Sequence, residues 1–273
     1  MKTTDSFDYE KKIWGHCQVD LSPRYLGATR LKYLFNTLNQ ELKEKAKLLD
    51  IGCGGGAFCR AVKRYFPQFS VTGVDINPQA LKIAESMGGG INYIQADVYK
   101  LPFKSRSFDA VVSFDVWEHL SDPLKAFAQV YRVLKGGGIF HFFVPVEGNR
   151  YTLYQFLPKQ IYQYKQKYTG HIQCYSNENL IKLLEKSGFQ VKKSYNSSYY
   201  LYQLTDLMYF SYLNLRSRNA TVSVEGYLES SSGKLGDRLL RAFKNCFGWI
   251  TFIEDICFKN IPGGGLHISA QKS

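Results

Sequence analysis

Paired cysteine chemistry is the first thing missing from this chain. Its six cysteines, at positions 17, 53, 59, 174, 246 and 257, form no C-x-x-C pair. A zinc site or disulfide framework is therefore not expected, no residue is assigned as a metal ligand, and reduced thiols in a cytosol fit the pattern. The opening residues, MKTTDSFDYEKK, have no apolar core after the first lysine, so no secretory signal is expected. No run reaches the roughly 18 apolar residues that a membrane span needs. The most aromatic stretch, 199–215, is interrupted by Gln203 and Asp206, and no internal repeat is visible. Acids are scarce, 23 against 35 lysines and arginines, for a net charge of +12. That balance invites an anionic partner. The lysines are spread out, however, and plain solvation of the surface explains them equally well.

What is present is enough for a large core. The chain has 273 residues, 45% of them hydrophobic and 21% charged, which suits one large domain or a domain with a sizeable insert. Residues 24–45 repeat Leu26, Arg30, Leu34, Leu38 and Leu42 near a helical period. AKLLDI (46–51) reads as a buried strand and AFCRAVKRYF (57–66) as a helix ended by Pro67. A second strand, FSVTGVDI, ends on Asp75. The helix after it has Asn77 as N-cap and Pro78 at its first position, and Gly88 to Gly90 end it. INYIQADV and FDAVVSFDV read as strands three and four. The helix DPLKAFAQVYRVLK follows, with Gly136 to Gly138 as its stop. GIFHFFVP is strand five, Ser176 caps the next helix, Gly188 leads into strand six, and GGLHISAQK closes the chain as strand seven.

Strands alternating with helices of this length predict an α/β, doubly wound, seven-stranded and mostly parallel sheet. Ligands of such sheets sit at the carboxyl ends of the strands. That rule lines up the glycine loop, Asp75, Asp97 and Asp115 along one rim. The expected organisation is an N-terminal helical segment (1–45) covering the cofactor and a ligand-binding core (46–148). An aromatic and basic cap segment follows (149–170), then the end of the core sheet (171–195 and 262–273), interrupted by a helical insertion (196–261) acting as a substrate cap.

The loop itself, LLDIGCGGGAF (48–58), admits two ligands. Gly52, Gly54 and Ala57 fit the dinucleotide pattern G-x-G-x-x-[G/A]. Asp50 argues against it, because a carboxylate beside a pyrophosphate repels it. S-adenosylmethionine has no phosphate and carries a sulfonium and an amino group that an acid attracts. Asp75 then accepts from both ribose hydroxyls, and Asp97, with the Val98 backbone, takes the adenine edge. Each acid also has a plainer reading: Asp50 and Asp75 as helix caps, Asp97 as a turn acid, and Phe114 and Trp117 as core aromatics.

At this point the chain resembles the class I S-adenosylmethionine-dependent methyltransferases, most of all the branch containing ubiquinone and menaquinone biosynthesis enzymes. The resemblance lies in LLDIGCGGGAF, VTGVDIN, IQADVYKLPFKSRSFDAVVSFDVWEHLSDPLKAFAQVYRVLKGGGIF and GHIQCYSNENLIKLLEKSGFQV, about residues 46–195 plus the final strand. It implies the Rossmann-like methyltransferase fold. It also implies that Asp50, Gly52, Cys53, Gly54 and Gly56 receive the methionine end of the cofactor. Asp75, with Ile76 beside it, matches the ribose position, Asp97 and Val98 the adenine edge, and Phe114 and Asp115 the lining after strand four.

If the acceptor is a hydroxyl, a general base helps, and histidine suits neutral pH. His119, in WEHLSDP, follows strand four on the rim, and His171, in TGHIQCYS, faces the expected cap; these two are the candidate bases. His16 sits in the N-terminal segment. His141 and His267 lie inside strands and read as structural. The [DNS]-P-P-[YFW] box of amino-methylating nucleic-acid enzymes is replaced by SFDVWEH, and the Pro-Cys nucleophile of cytosine C5 enzymes is missing, which argues against nucleic acid. The expected acceptor is a small or lipid-like molecule, with O-methylation preferred. The alternatives are a non-catalytic cofactor-binding scaffold and a peripheral-membrane enzyme of a polyprenyl or quinone-type acceptor. Residues 195–260 hold 13 aromatics. Arg238, Arg241, Lys244 and Lys259 lie there among Leu239, Leu240, Phe243, Phe247 and Trp249. Such a segment either packs as a cap or rests on an anionic membrane. A cytoplasmic protein, with or without that membrane contact, is expected.

Overall fold

The computed structural model describes residues 18–23, 25, 27–157, 162, 163, 165, 166, 169–215, 235–258 and 261–273, with backbone alone at 209, 210, 212–215 and 235–244. His16 lies outside the described residues. In chain order the elements are α1 (Ala28–Glu41), β1 (Lys47–Ile51), α2 (Ala57–Tyr65), β2 (Ser70–Asp75), α3 (Pro78–Ser86), β3 (Asn92–Gln95), β4 (Phe108–Phe114), α4 (Pro123–Val133), β5 (Leu134–Pro145), α5 (Leu153–Phe156), α6 (Asn177–Lys186), β6 (Phe189–Ser197), α7 (Tyr200–Leu215), α8 (Leu235–Cys257) and β7 (Gly265–Lys272). Short 3-10 turns cover Val98–Lys100 and Trp117–His119.

The seven strands form one sheet in the order β3-β2-β1-β4-β5-β7-β6. The pairs from β3 to β5 are parallel, and β7 runs antiparallel to both β5 and β6. This is the α/β, mostly parallel sheet that the sequence predicts. The order reverses between β1 and β4, the switch point where ligands of open sheets bind. Successive strand residues face opposite sides. Leu48, Ala110 and Val112 pack with α1 and α2 through Leu31, Leu34, Leu38 and Val62. Leu49, Ile51 and Val111 pack with α4 and α6 through Phe127, Val130, Leu180 and Leu184.

Local chemistry sets the helix starts. The Asn77 side chain accepts from the backbone N–H groups of Gln79 and Ala80, with Pro78 at the first position. Asp122 does the same for Lys125 N–H ahead of Pro123, and Ser176 for Asn179 N–H. Four expected boundaries move. The first helix runs from Ala28 to Glu41 rather than 24 to 45. β4 ends at Phe114, because Asp115 takes a left-handed φ of 54° and turns the chain. β3 ends at Gln95, so Asp97 lies past the strand and caps the 3-10 turn through Tyr99 N–H.

The fourth change concerns Gly136 to Gly138, which do not stop α4. The helix ends at Val133, and Leu134, already extended, pairs with Phe108. The glycines lie inside β5, where its register with β4 slips between Phe108 and Ala110. A Cβ at Gly138 would lie 3.0 Å from the Lys135 carbonyl oxygen and 3.1 Å from that of Asp109. Glycine is needed there for close backbone approach at an irregularity.

Candidate active site

The glycine loop leaves β1 and enters α2 at the switch point. Gly52 and Cys53 N–H both donate to Val74 O, at 2.8 and 3.0 Å, which ties the loop to β2. Gly52 and Gly56 have φ of 72° and 76°. A Cβ at Gly52 would sit 2.2 Å from Val116 Cγ2, and one at Gly56 2.3 Å from the Tyr93 hydroxyl. The protein's own packing therefore demands glycine at both places. Gly56 caps α2 without any side-chain bond, so the first backbone N–H groups of α2 have no side-chain cap.

Asp75 closes the loop from the neighbouring strand. Its Oδ2 accepts from Gly54 N–H at 2.8 Å and its Oδ1 from Asn77 N–H at 2.9 Å. Each oxygen keeps a second lone pair, which two vicinal hydroxyls can fill. Burial pushes its pKa up. Ile76, the next residue, is 53% exposed, an apolar face beside that carboxylate suited to a flat ring. Asp97 is exposed, with one oxygen on Tyr99 N–H, and Val98 beside it is half-buried. These groups suit S-adenosylmethionine: an acid for the ribose, an apolar face and a second acid for the base, and a left-handed backbone turn without side chains. Asp50 is placed differently from the other acids. It is buried on the α2 side of β1, accepts from the Cys59 thiol at 3.0 Å, and burial raises its pKa to about 7. Cys53 is buried beside it.

The end of β4 joins the rim to a second space. Phe114 is buried and stacks on Phe58, with ring centroids 4.2 Å apart. Asp115 accepts from Arg30 NH2 at 2.9 Å, and the Arg30 guanidinium lies 4.1 Å above the Phe143 ring. Arg30 also lines a small cavity with Tyr202, Asp255, Thr251, His267 and Ser197. Burial pushes Asp255 to about 6 and Tyr202 to about 12. Arg30 Nε and His267 Nδ1 are buried with no protein partner. His267, read from the sequence as structural, thus forms part of the cavity wall. His141 is buried in β5 against Thr37 and Ser269, and burial holds it down to about 3. Trp117 is fully buried and stacks on Phe127 in the core.

The two candidate bases come together beneath the segment after β5. Their rings are 5.1 Å apart. His119 Nδ1 lies 3.2 Å from Gly170 O, and His171 Nδ1 lies 3.1 Å from Glu147 Oε1. Their Nε2 atoms stand 3.8 and 3.9 Å from Glu118 Oε1. Burial, then His171, holds His119 down to about 3, so it is neutral near pH 7. Glu118 is buried with both oxygens unpartnered. Burial, reinforced by Asp115 and Glu147, pushes its pKa well up. Burial would raise Glu147 as well, yet Lys165 and His171 hold it below the usual carboxylate range. Lys165, itself buried, donates to Glu147 Oε1 at 2.8 Å, Asp206 Oδ2 at 2.6 Å and the Tyr154 hydroxyl at 2.8 Å. Tyr162 donates to the other Glu147 oxygen. Glu118, His119 and His171 are the described residues whose donor atoms, all within 4.8 Å of one another, have the geometry to hold a cation.

Sequence reasoning passed over Glu147, Lys165, Asp206, Arg30 and Asp255 as site residues. Glu147 had a usable signal. It follows a buried strand, as Asp115 does, and the same rim rule applied to β5 selects it. Arg30 had none, because its partner Asp115 is 85 positions away.

Residues 49–142 match the family model described as Methyltransferase domain. The cycloartenol-C-24-methyltransferase 1 of Oryza sativa subsp. japonica is 34% identical over 39% of this chain and 32% of its own length. The demethylmenaquinone methyltransferase of Thermotoga maritima is 27% identical over 53% of this chain and 70% of its own. Among solved structures, the Haemonchus contortus phosphoethanolamine N-methyltransferase 2, in complex with S-adenosyl-L-methionine, superposes with a TM-score of 0.59. It is 21% identical and covers 93% of this chain and 54% of that one. Residues 49–142 are thus a methyltransferase domain, and the chain is similar to the class I S-adenosylmethionine-dependent methyltransferases. Its match spans about a third of the plant relative and about two thirds of the bacterial one.

Proposed function

We propose that this chain is an S-adenosylmethionine-dependent methyltransferase acting on a hydroxyl of a small or lipid-like acceptor held in the cavity behind Arg30. One observation carries the reading: Arg30 belongs to both places. It is bonded to Asp115 on the cofactor rim and lines the cavity. An acceptor in that cavity is therefore next to the rim, as in-line displacement requires.

In this reading Asp75, Ile76, Asp97 and Val98 hold the nucleoside, and Asp50, Gly52, Cys53, Gly54, Gly56, Phe114 and Asp115 surround the methionine end. Bound S-adenosylmethionine supplies an electrophilic methyl group on a sulfonium. The acceptor oxygen forms the new C–O bond as the C–S bond breaks, and the hydroxyl proton leaves to a base. Of the two histidines, His171 is the one that a carboxylate orients. The ionised Glu147 accepts from its Nδ1–H, which leaves the Nε2 lone pair to take a proton, 3.9 Å from Glu118 Oε1. His119, held by Gly170 O, completes the wall.

A lipid-like acceptor is favoured by the relatives, whose names give a sterol precursor and demethylmenaquinone as what they methylate. The test uses cofactor with a labelled methyl group, the protein, and a host extract split into lipid, aqueous small-molecule, protein and nucleic-acid fractions. Label in the lipid or small-molecule fraction supports the reading. Label in nucleic acid or protein overturns the acceptor class. Tight cofactor binding with no label in any fraction supports a non-catalytic scaffold instead.

A further inference from the structure

The helices α7 and α8, which separate β6 from β7, are built inside out. An amphipathic helix in water hides apolar side chains and shows polar ones. In α7, Gln203 is buried, accepting from Leu153 N–H and donating to Ser198 O, and Asp206 is bonded to Lys165. Among the side chains of α7 that are described, the exposed ones are Tyr200, Leu201, Leu204 and Met208, with Met208 64% exposed. In α8, Thr251 and Glu254 are buried, while Trp249, Ile250, Ile253 and Ile256 are exposed, Ile253 at 55%. The spacing 249, 250, 253, 256 is one helical face, and 248, 251, 252, 255 is the face that lines the cavity. The two helices are fixed to each other and to the sheet edge by acids turned inward. Glu254 accepts from Leu201 N–H at the start of α7, and Asp255 accepts from Ser198 N–H. Among the residues whose side chains are described, neither helix exposes a charged group.

We infer that the outward faces of α7 and α8 form a docking surface for an anionic lipid membrane. The charge of the molecule selects this occupant. A second copy would bring +12 against +12, whereas an anionic leaflet attracts a basic protein to the surface where its apolar side chains insert. The first half of α8 carries Arg238, Arg241 and Lys244 against the single acid Asp237. Trp249 has the apolar body and polar edge found at membrane interfaces. No described helix is long and apolar enough to cross a bilayer, so the contact is a seat on the surface. The docking stands apart from methyl transfer. Its consequence, that an acceptor dissolved in lipid enters the cavity past α8, rests on the proposed function.

The test is flotation of the whole chain with vesicles of phosphatidylcholine alone, or with about a third phosphatidylglycerol. Wild type is expected to float with the anionic vesicles, less so as salt is raised. Trp249→Glu with Ile253→Glu on α8, and separately Leu204→Glu on α7, are each expected to lower vesicle partition at least about tenfold without changing S-adenosylmethionine affinity, which also reports folding. Wild type that stays with the soluble fraction overturns the inference, as does undiminished flotation of both variants. So does a wild-type dimer in sedimentation velocity that Trp249→Glu dissociates, because a second copy then covers the face. Flotation without methyl transfer to any acceptor leaves the docking intact and removes the proposed function.

Discussion

In the sheet, Leu48, Leu49, Val111 and Phe140 are wholly buried while Lys47 at the start of β1 is exposed; in α7 and α8, Gln203, Thr251 and Glu254 are buried while Leu204, Trp249 and Ile253 face outward. The first region is stabilised by apolar burial on both faces, and acids at its strand ends, Asp75 and Asp115, stand on the rim. The second is held by directional bonds from Asp206, Glu254 and Asp255, with its apolar surface left over. Stability and function are thus distributed oppositely in the two regions. A substitution that removes apolar atoms should cost stability in the sheet and not in the insertion.

The largest expected effect lies where the regions meet. Lys165→Met leaves the buried Glu147 and Asp206 without their shared cation and should cost about 3–5 kcal/mol, read as a lowered melting temperature. Loss of less than about 1 kcal/mol would show that the network is not held by that charge. Leu49→Ala should cost about 2–5 kcal/mol in denaturant titration, while Trp249→Gln should stay within about 0.5 kcal/mol. Equal losses would erase the contrast between the regions. Glu147→Gln should lower kcat about a hundredfold with cofactor affinity unchanged, since it removes the group that orients His171; a parallel fall in cofactor affinity would make Glu147 merely structural. Asp75→Ala should weaken cofactor binding at least about tenfold, or about 1.4 kcal/mol, and unchanged calorimetric affinity in the folded variant would remove it from the ribose site.

The last effect is on pH. Asp50 titrates near 7 in the folded protein against 3.8 for an ordinary aspartate. The native state therefore holds this proton more tightly than the unfolded chain, and stability contributed by Asp50 falls as pH rises between those values. Asp50→Asn should flatten that part of the stability profile. An unchanged slope would mean that the carboxyl is solvated.

Much of the sheet was legible because strands buried on both faces write themselves as apolar runs, and because Asn77-Pro78, Asp122-Pro123 and Ser176 cap helices through their own neighbours. The glycines at 136–138 misled, because glycine serves a β-irregularity as readily as a helix stop. The antiparallel entry of β7 between β5 and β6 left no mark in local pattern, since pairing direction depends on partners far along the chain. The site divides the same way. Acids at strand ends could be picked by position, whereas Arg30, Lys165 and Asp255 acquire their roles only from contacts that the fold creates. His267 looked structural because an apolar strand surrounds it, yet folding turns it toward a cavity.

The antiparallel pairing of β6 with β7 has one more consequence. Ser197 and Gly265 are register partners, so the chain leaves the sheet for the whole α7–α8 excursion and returns beside its point of departure. An excursion with adjoining ends can be lengthened, exchanged or cut to a hairpin turn without rethreading a strand. The α7–α8 excursion is therefore free to diverge in evolution, or in the laboratory, as one cassette, while the strands on the other side of the switch point stay as they are.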